Sequence, residues 1–265
     1  MRQIRIDIKP DYAAYGLDYQ GKATLTLMIH DSQPERVFPT LICVPGGCYS
    51  RCSKREGEPP AVRFYSYGYN AAVLEYSVID KPFPTALLEL CEAVKYIRSH
   101  KEELCATDDV TVMGFSAGGH LAASLGVYSQ KYGCIAARPD RLILCYPVIT
   151  SGVYTHRESA ENIARDSDTM DLIYLEKHIS DSFPPCFIWH CADDSTVPVQ
   201  NSLLLAQSLS ENNIPYELHI FPEGGHGIAM CDITTVRDGD YDKYINPTCA
   251  QWSELALDWL RRNSI

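Results

Sequence analysis

The sequence predicts an α/β fold: a mostly parallel eight-stranded sheet with helices on both faces and a small cap insert. Three observations predict it. Eight short apolar runs are spaced along the chain, segments with helical apolar spacing separate the later ones, and distinctive polar loops directly follow several of the runs.

The first two runs, "IRIDI" and "ATLTLMIH", alternate with period two and predict a half-exposed antiparallel pair. The other six are "TLICVPG", "AAVLEYSV", "VTVMGFS", "RLILCYPV", "CFIWHCAD" and "YELHIFPE". Their nearly continuous apolar character suits strands buried on both faces of a parallel sheet. Between them, "TALLELCEAVKYIRSH" places Leu87, Leu90, Cys91, Val94 and Ile97 on one helical stripe. "AGGHLAASLGVYSQ", "QNSLLLAQSLSENN" and the terminal "AQWSELALDWLRRN" behave similarly. Strand–helix alternation implies crossovers that wind helices onto the sheet, and such sheets bind ligands outside the carboxyl ends of their strands. The segment from Gly152 to Pro185 is longer than a plain crossover helix and is expected to cap that edge. No repeat, low-complexity tract or linker divides the chain, so one domain over residues 1–265 is expected.

Hydrophobic residues make up 46% of the 265 and charged residues 22%, as in a globular protein. A formal charge of −11 with no basic run argues against a nucleic-acid partner, an anionic membrane surface or a polyanionic substrate. A neutral small-molecule substrate is expected, and a homo-oligomer is allowed. The N-terminal "MRQIRIDIKPDYAAYGL" has no apolar segment of signal-peptide length, and no later run reaches membrane-spanning length. Eleven cysteines, several inside strand-like runs, read as buried hydrophobes in a reducing compartment, so a cytoplasmic location is expected. Cys43, Cys48 and Cys52 lack the paired C-x-x-C spacing of a zinc site, and no metal or cofactor is expected. The acidic run around Asp238 lacks the calcium-loop pattern and reads as a solvated loop.

The chemistry is expected in "VTVMGFSAGGHLAASL", where a buried run turns into a helix through Gly-Phe-Ser-Ala-Gly. Small neighbours allow a sharp turn that lifts Ser116 to the sheet edge, beside a helix N-terminus that favours developing negative charge. The competing reading makes Ser116 a simple N-cap. A nucleophilic serine needs a base, and the base an orienting acid, in the chain order Ser, Asp or Glu, His. "CADDSTVP" and "PEGGHGIAM" supply both just past the last two strands. His226, among glycines, is the expected general base. Adjacent residues point in opposite directions, so only one of Asp193 and Asp194 can face it. Asp194, opening the turn into the next helix, is preferred, with Asp193 as the loop-stabilising alternative.

The tetrahedral intermediate also needs backbone donors for its oxyanion. One is expected from Ala117, the residue after the nucleophile, and one from "VPGGCYS". Pro45 has no N–H, so that second donor lies later, at Gly47 or Cys48. His120 and His190 are expected to be buried structural histidines. Tyr49, Ser50 and "KREGEPPA" are expected at the mouth of the site.

With these residues placed, the chain resembles the α/β-hydrolase superfamily, in its bacterial esterase/lipase-like branch, and looks closest to acetyl-xylan-esterase-like carbohydrate esterases. The marks are "GFSAGGHLAASL", "PGGCY", "EGEPPAVRFYSYGYNAAVLEY", "HRES", "PPCFIWHCADDSTVPVQNS" and "GGHG", from about Pro39 onward. The resemblance implies an α/β-hydrolase fold and hydrolysis of short acyl esters, with acetylated plant oligosaccharides as the substrate class. It also leaves room for a general carboxylesterase or a peptidase. The chain departs from the family's oxyanion motif: Pro45 stands where a histidine is common and Cys48 where a third glycine is usual.

Overall fold

The computed structural model describes residues 1–31, 35–164, 166–237 and 239–263. The Asp238 position of the expected solvated loop lies outside them. Strands β1 (Arg2–Ile8), β2 (Ala23–Ile29), β3 (Phe38–Val44), β4 (Asn70–Glu75), β5 (Ala106–Phe115), β6 (Arg141–Cys145), β7 (Cys186–Cys191) and β8 (Tyr216–Phe221) form one sheet. Its order is β1-β2-β4-β3-β5-β6-β7-β8. β1 and β2 pair antiparallel, with Ile4 opposite Leu27 and Ile6 opposite Leu25, and β2 joins β4 antiparallel. Every pairing from β4 through β8 is parallel. This is the eight-stranded, mostly parallel sheet that the apolar runs imply.

The helices are α1 (Glu58–Ser66), α2 (Thr85–Ser99), α3 (Ala117–Tyr128), α4 (Arg157–Ile163), α5 (Ser167–Leu172), α6 (Gln200–Glu211), α7 (Tyr241–Tyr244), α8 (Pro247–Ala250) and α9 (Trp252–Arg262). They divide between the two sheet faces, and strand alternation feeds both layers. From β5 and β6, Val110, Val112, Leu142 and Leu144 join one core with Leu87, Leu90 and Val94 of α2, Leu121 of α3 and Leu205 of α6. The intervening Met113, Phe115, Ile143 and Cys145 join the other, with Phe64 of α1 and Trp252, Trp259 and Leu260 of α9. Trp189 of β7 stacks on Trp252, their centroids 5.2 Å apart. Burial on both faces holds the central strands rigid, and their carboxyl ends inherit that rigidity.

Two elements depart from the sequence expectation. α1, in the crossover from β3 to β4, is a helix that the apolar pattern does not mark. Its proline pair sits in the first turn, where a missing N–H costs nothing, and it buries Pro60, Ala61 and Phe64. β8 is not buried on both faces: Tyr216 and Ile220 are exposed, because it is the last strand of the sheet and has a partner on one side only.

The segment after β6 carries α4, α5 and a 3₁₀ turn at Leu175–Lys177. α4 buries Ser159, Ala160 and Ile163, whereas α5 buries no side chain among the described residues. His156 caps α4 by accepting the Ser159 N–H. Backbone bonds from Phe83 N–H to the Ile163 carbonyl and from Leu175 N–H to the Ile149 carbonyl fasten the segment to the body.

Candidate active site

β5 ends at Phe115, and Ser116 turns into α3 with φ 52° and ψ −117°, a left-handed geometry that side chains rarely adopt. Such strain persists only where the surroundings enforce it. Here Ser116 N–H donates to the Cys145 carbonyl, while the Ser116 carbonyl accepts from the N–H groups of His120 and Val148. The turn leaves no room in the neighbouring loop. A Cβ on Gly46 would lie 2.7 Å from the Phe115 carbonyl oxygen and 3.0 Å from the Ser116 Cβ. Ser116 makes no side-chain cap bond to α3. Its hydroxyl instead lies 2.9 Å from Nε2 of His226.

His226 follows β8, and its Nδ1 lies 2.6 Å from Oδ2 of Asp194, which follows β7. Asp194 is 5% exposed, so its charge must be compensated internally. Its Oδ1 accepts the N–H groups of Thr196 and Val197, each at 2.9 Å. The ring of His190 adds a contact of 3.3 Å from Nε2 to Oδ2. Burial alone would push the Asp194 carboxyl up. Hydrogen bonds from His190, His226 and Val197, with the His226 charge, outweigh burial and hold it well below the usual carboxylate range. Asp193 faces the other way and accepts the N–H groups of Gly224 at 3.2 Å and Gly225 at 2.9 Å.

The loop after β3 runs Gly47, Cys48, Tyr49, all with positive φ (127°, 58° and 57°). Gly46 N–H is committed to Oε2 of Glu56 at 3.1 Å, so an oxyanion donor from this loop comes from a later residue. Gly47 and Cys48 line the same cleft of about 240 Å³ as Ser116 and His226. Ala117 begins α3, and a first-turn N–H has no partner within its helix. The structure thus brings Ser116, His226 and Asp194 into one chain of contacts and sets Gly47 and Cys48 beside them, with Ala117 next to Ser116.

Several further residues support the site. Glu56 is 4% exposed, and its second oxygen, Oε1, accepts the Tyr146 hydroxyl at 2.8 Å. That hydroxyl in turn accepts the Ala229 N–H at 3.1 Å. The Tyr146 ring meets His226 edge-on, centroids 5.0 Å apart. Asn162 of α4 donates to the Cys48 carbonyl at 2.7 Å. Tyr49 does not reach the mouth: it is buried, and its hydroxyl lies 2.8 Å from Nδ1 of His120. His120, whose Nε2 faces the Ile173 carbonyl at 3.3 Å, has its pKa pushed down to about 4 by burial. Of these residues, Tyr49, His120 and the stretch that holds Glu56 are marked in the sequence, Tyr146 has a signal in its place directly after a central strand, and Asn162 has none.

The three cysteines weighed as metal ligands diverge. Cys43 donates to the Glu56 carbonyl and Cys52 to the Tyr76 carbonyl. Cys48 gathers with His156 and Glu158, their ligand atoms within 4.8 Å of one another. Burial, with the Glu158 carboxylate beside it, pushes the Cys48 thiol up to about 11.

Known proteins place this architecture. The model of the prolyl oligopeptidase family matches residues 86–238, and that of the family described as BD-FAE matches residues 27–136. The chain is similar to the solved acetyl ester-xyloside bifunctional hydrolase of Caldicellulosiruptor lactoaceticus, at 32% identity and a TM-score of 0.78, covering 94% of this chain and 90% of that one. It is also similar to a carboxylesterase of Lactobacillus plantarum, at 28% identity and a TM-score of 0.86, covering 99% and 98%. Endo-1,4-β-xylanase B of Butyrivibrio fibrisolvens is 37% identical over 233 residues, 82% of this chain but 36% of that protein. Acetylxylan esterase of Xylanibacter ruminicola is 28% identical over 226 residues, 81% of this chain and 45% of that protein. The chain therefore spans less than half the length of these two curated relatives. It belongs to the α/β-hydrolase family, in its esterase branch. No helix among the described residues is long and apolar enough to cross a membrane.

Proposed function

We propose that the protein is a serine esterase that removes short acyl groups, acetyl above all, from plant-derived oligosaccharides such as those of xylan. The observation that carries the reading is the unbroken relay from Ser116 Oγ through His226 to Asp194. In this mechanism Ser116 Oγ attacks the ester carbonyl while His226 Nε2 takes its proton. Asp194 fixes the ring so that Nδ1 carries the other proton, and its charge stabilises the imidazolium. The oxyanion is held by Ala117 N–H and by Gly47 or Cys48 N–H. Collapse breaks the bond to the alcohol, which leaves with the proton from His226. Water, deprotonated by the same ring, then releases the acid and restores Ser116.

The chain acts in this reading as one domain, with residues 152–185 as its cap. Its eleven cysteines are all free, which suits a reducing cytoplasm. The relatives named for acetyl esters and xylan support the substrate class.

The test is acetate release from acetylated xylo-oligosaccharides, beside kcat/KM for p-nitrophenyl acetate, butyrate and octanoate. Acetyl is expected to lead, and Ser116→Ala to lower turnover by about 10⁴–10⁶. A higher kcat/KM for octanoate, or an active Ser116→Ala protein, would overturn it. The match to the prolyl oligopeptidase family spans all three relay residues and favours a peptidase as the second reading. Cleavage of peptidyl p-nitroanilides without ester preference would establish that alternative.

A further inference from the structure

The cleft holding Ser116 and His226 is cationic, although the whole chain has a formal charge of −11. With 34 acidic and 23 basic residues, an even scatter would line it with more acids than bases. The reverse is found among the described residues: Arg51, Arg55, Arg237 and Lys243 all line it, against one carboxylate, Glu56. Three of these cations converge on a single ring. The Arg55 and Arg237 guanidinium carbons lie 4.6 and 5.4 Å from the Tyr244 centroid, and Lys243 Nζ lies 5.6 Å from it.

Such a gathering costs mutual repulsion, which an aromatic face offsets in part. Among the described residues no carboxylate forms an ion pair with any of the four. The two oxygens of Glu56 are each engaged by a neutral donor, Gly46 N–H and the Tyr146 hydroxyl. Arg55 is half-buried and donates to two carbonyl oxygens, of Thr235 at 2.7 Å and of Gly227 at 2.8 Å. Gly227 directly follows the proposed general base. A partly desolvated guanidinium held there with no ion-pair partner among the described residues is completed by an anion arriving with the substrate.

We infer that this cleft selects esters carrying a carboxylate on the alcohol side of the scissile bond, such as an acetylated oligosaccharide bearing a uronic-acid residue. The inference rests on the esterase reading above. It reverses the neutral substrate expected from net charge, because binding responds to the local field and not to the sum over the surface.

The experiment compares two acetylated xylo-oligosaccharides of equal length, one with a uronic-acid substituent and one without, at low salt and at about 0.3 M salt. The acidic substrate is expected to show about tenfold higher kcat/KM at low salt. That advantage should shrink in salt, and in the Arg237→Gln, Lys243→Gln double variant the ratio should fall toward one. Equal values for the two substrates would overturn the inference while leaving the esterase reading intact. So would a preference that neither salt nor the double variant changes. No acetate from either substrate would overturn the esterase reading itself. A third arm sets p-nitrophenyl hemisuccinate against p-nitrophenyl butyrate. A salt-sensitive preference found only there would move the carboxylate to the acyl side and refute the inference as stated.

Discussion

Asp194 Oδ2 meets His226 Nδ1 at 2.6 Å, while Asp193, the very next residue, grips the loop that carries that histidine through Gly224 and Gly225 N–H. Two adjacent carboxylates thus split their roles, since one orients the imidazole and the other sets the backbone beneath it. Replacing Asp194 with Asn puts an amide N–H where an acceptor is needed and favours the wrong ring tautomer. Turnover is expected to fall by about 10⁴. Asp193→Asn keeps one acceptor oxygen for the loop and should cost less than about tenfold. Steady-state kinetics on both variants checks this, and the reverse ranking would show that the orienting acid is Asp193.

That division is only half legible in the sequence. The strands, and the three polar positions just beyond β5, β7 and β8, can be read because each follows a run of buried residues in a way that local chemistry dictates. Opposed side-chain directions separate the two aspartates but cannot say which one faces inward. Pro45 narrows the choice of a proposed donor in the loop after β3, and the Glu56 bond to Gly46 N–H narrows it further. Glu56 itself is out of reach, since its partner Tyr146 lies 90 positions away. His190 reads from sequence as an apolar-strand histidine, and nothing local reveals its contact with Asp194. The cationic cleft is hidden for the same reason: Arg55 meets the turn near Arg237 and Lys243 only after the chain has closed.

The sharp turn at Ser116 depends on backbone packed against backbone at Gly114 and Gly118. A Cβ on Gly118 would stand 2.1 Å from the Val44 carbonyl oxygen, and one on Gly114 2.2 Å from the Gly118 carbonyl oxygen. Neither obstacle is the movable end of a side chain. Gly114→Ala and Gly118→Ala should each destabilise by about 1–3 kcal/mol or more and displace Ser116. Urea denaturation and ester turnover together check this. Wild-type stability in both variants would show that the turn tolerates a methyl group and is less constrained than its contacts imply.

His120 should make folding stability depend on pH. Its ring is 2% exposed and uncharged, with Nδ1 facing the Tyr49 hydroxyl and Nε2 the Ile173 carbonyl. Burial lowers its pKa to about 4, whereas an unfolded histidine titrates near about 6.5. Between these values the unfolded chain binds the extra proton, so stability rises with pH and falls as the solution is acidified. The contribution lost between pH 7 and pH 4 is on the order of 3 kcal/mol. Asp194 acts in the same direction but at lower pH. Its depressed pKa gives stability that is lost only as pH falls through and below the ordinary carboxylate value, beneath the histidine window. Urea unfolding of the wild type and of His120→Gln across pH 4.5–7 isolates the histidine contribution as a difference. Parallel curves would refute the assignment.

Cys48 stands where a third glycine would be more usual, and a thiol beside a reacting ester invites a chemical role. The structure argues against one. A nucleophilic cysteine needs its thiolate, yet burial and the Glu158 carboxylate push this thiol up to about 11, and Arg51 lowers it only in part. Alkylation by iodoacetamide at pH 8, followed on the Cys48 peptide, should run about two orders of magnitude slower than for a free thiol. The backbone is the part that matters, held at φ 58° with its carbonyl tied to Asn162. Cys48→Gly accepts that φ without strain and keeps the N–H, and Cys48→Ser keeps the N–H and nearly the same shape, so both should retain most activity. Cys48→Pro would be inactive but uninformative, because proline cannot reach a positive φ and would deform the loop whatever its N–H does. The glycine and serine variants, assayed for kcat with p-nitrophenyl acetate, therefore decide the matter. If both fold and both are inactive, the sulfur itself takes part and the loop's role as a backbone donor is wrong.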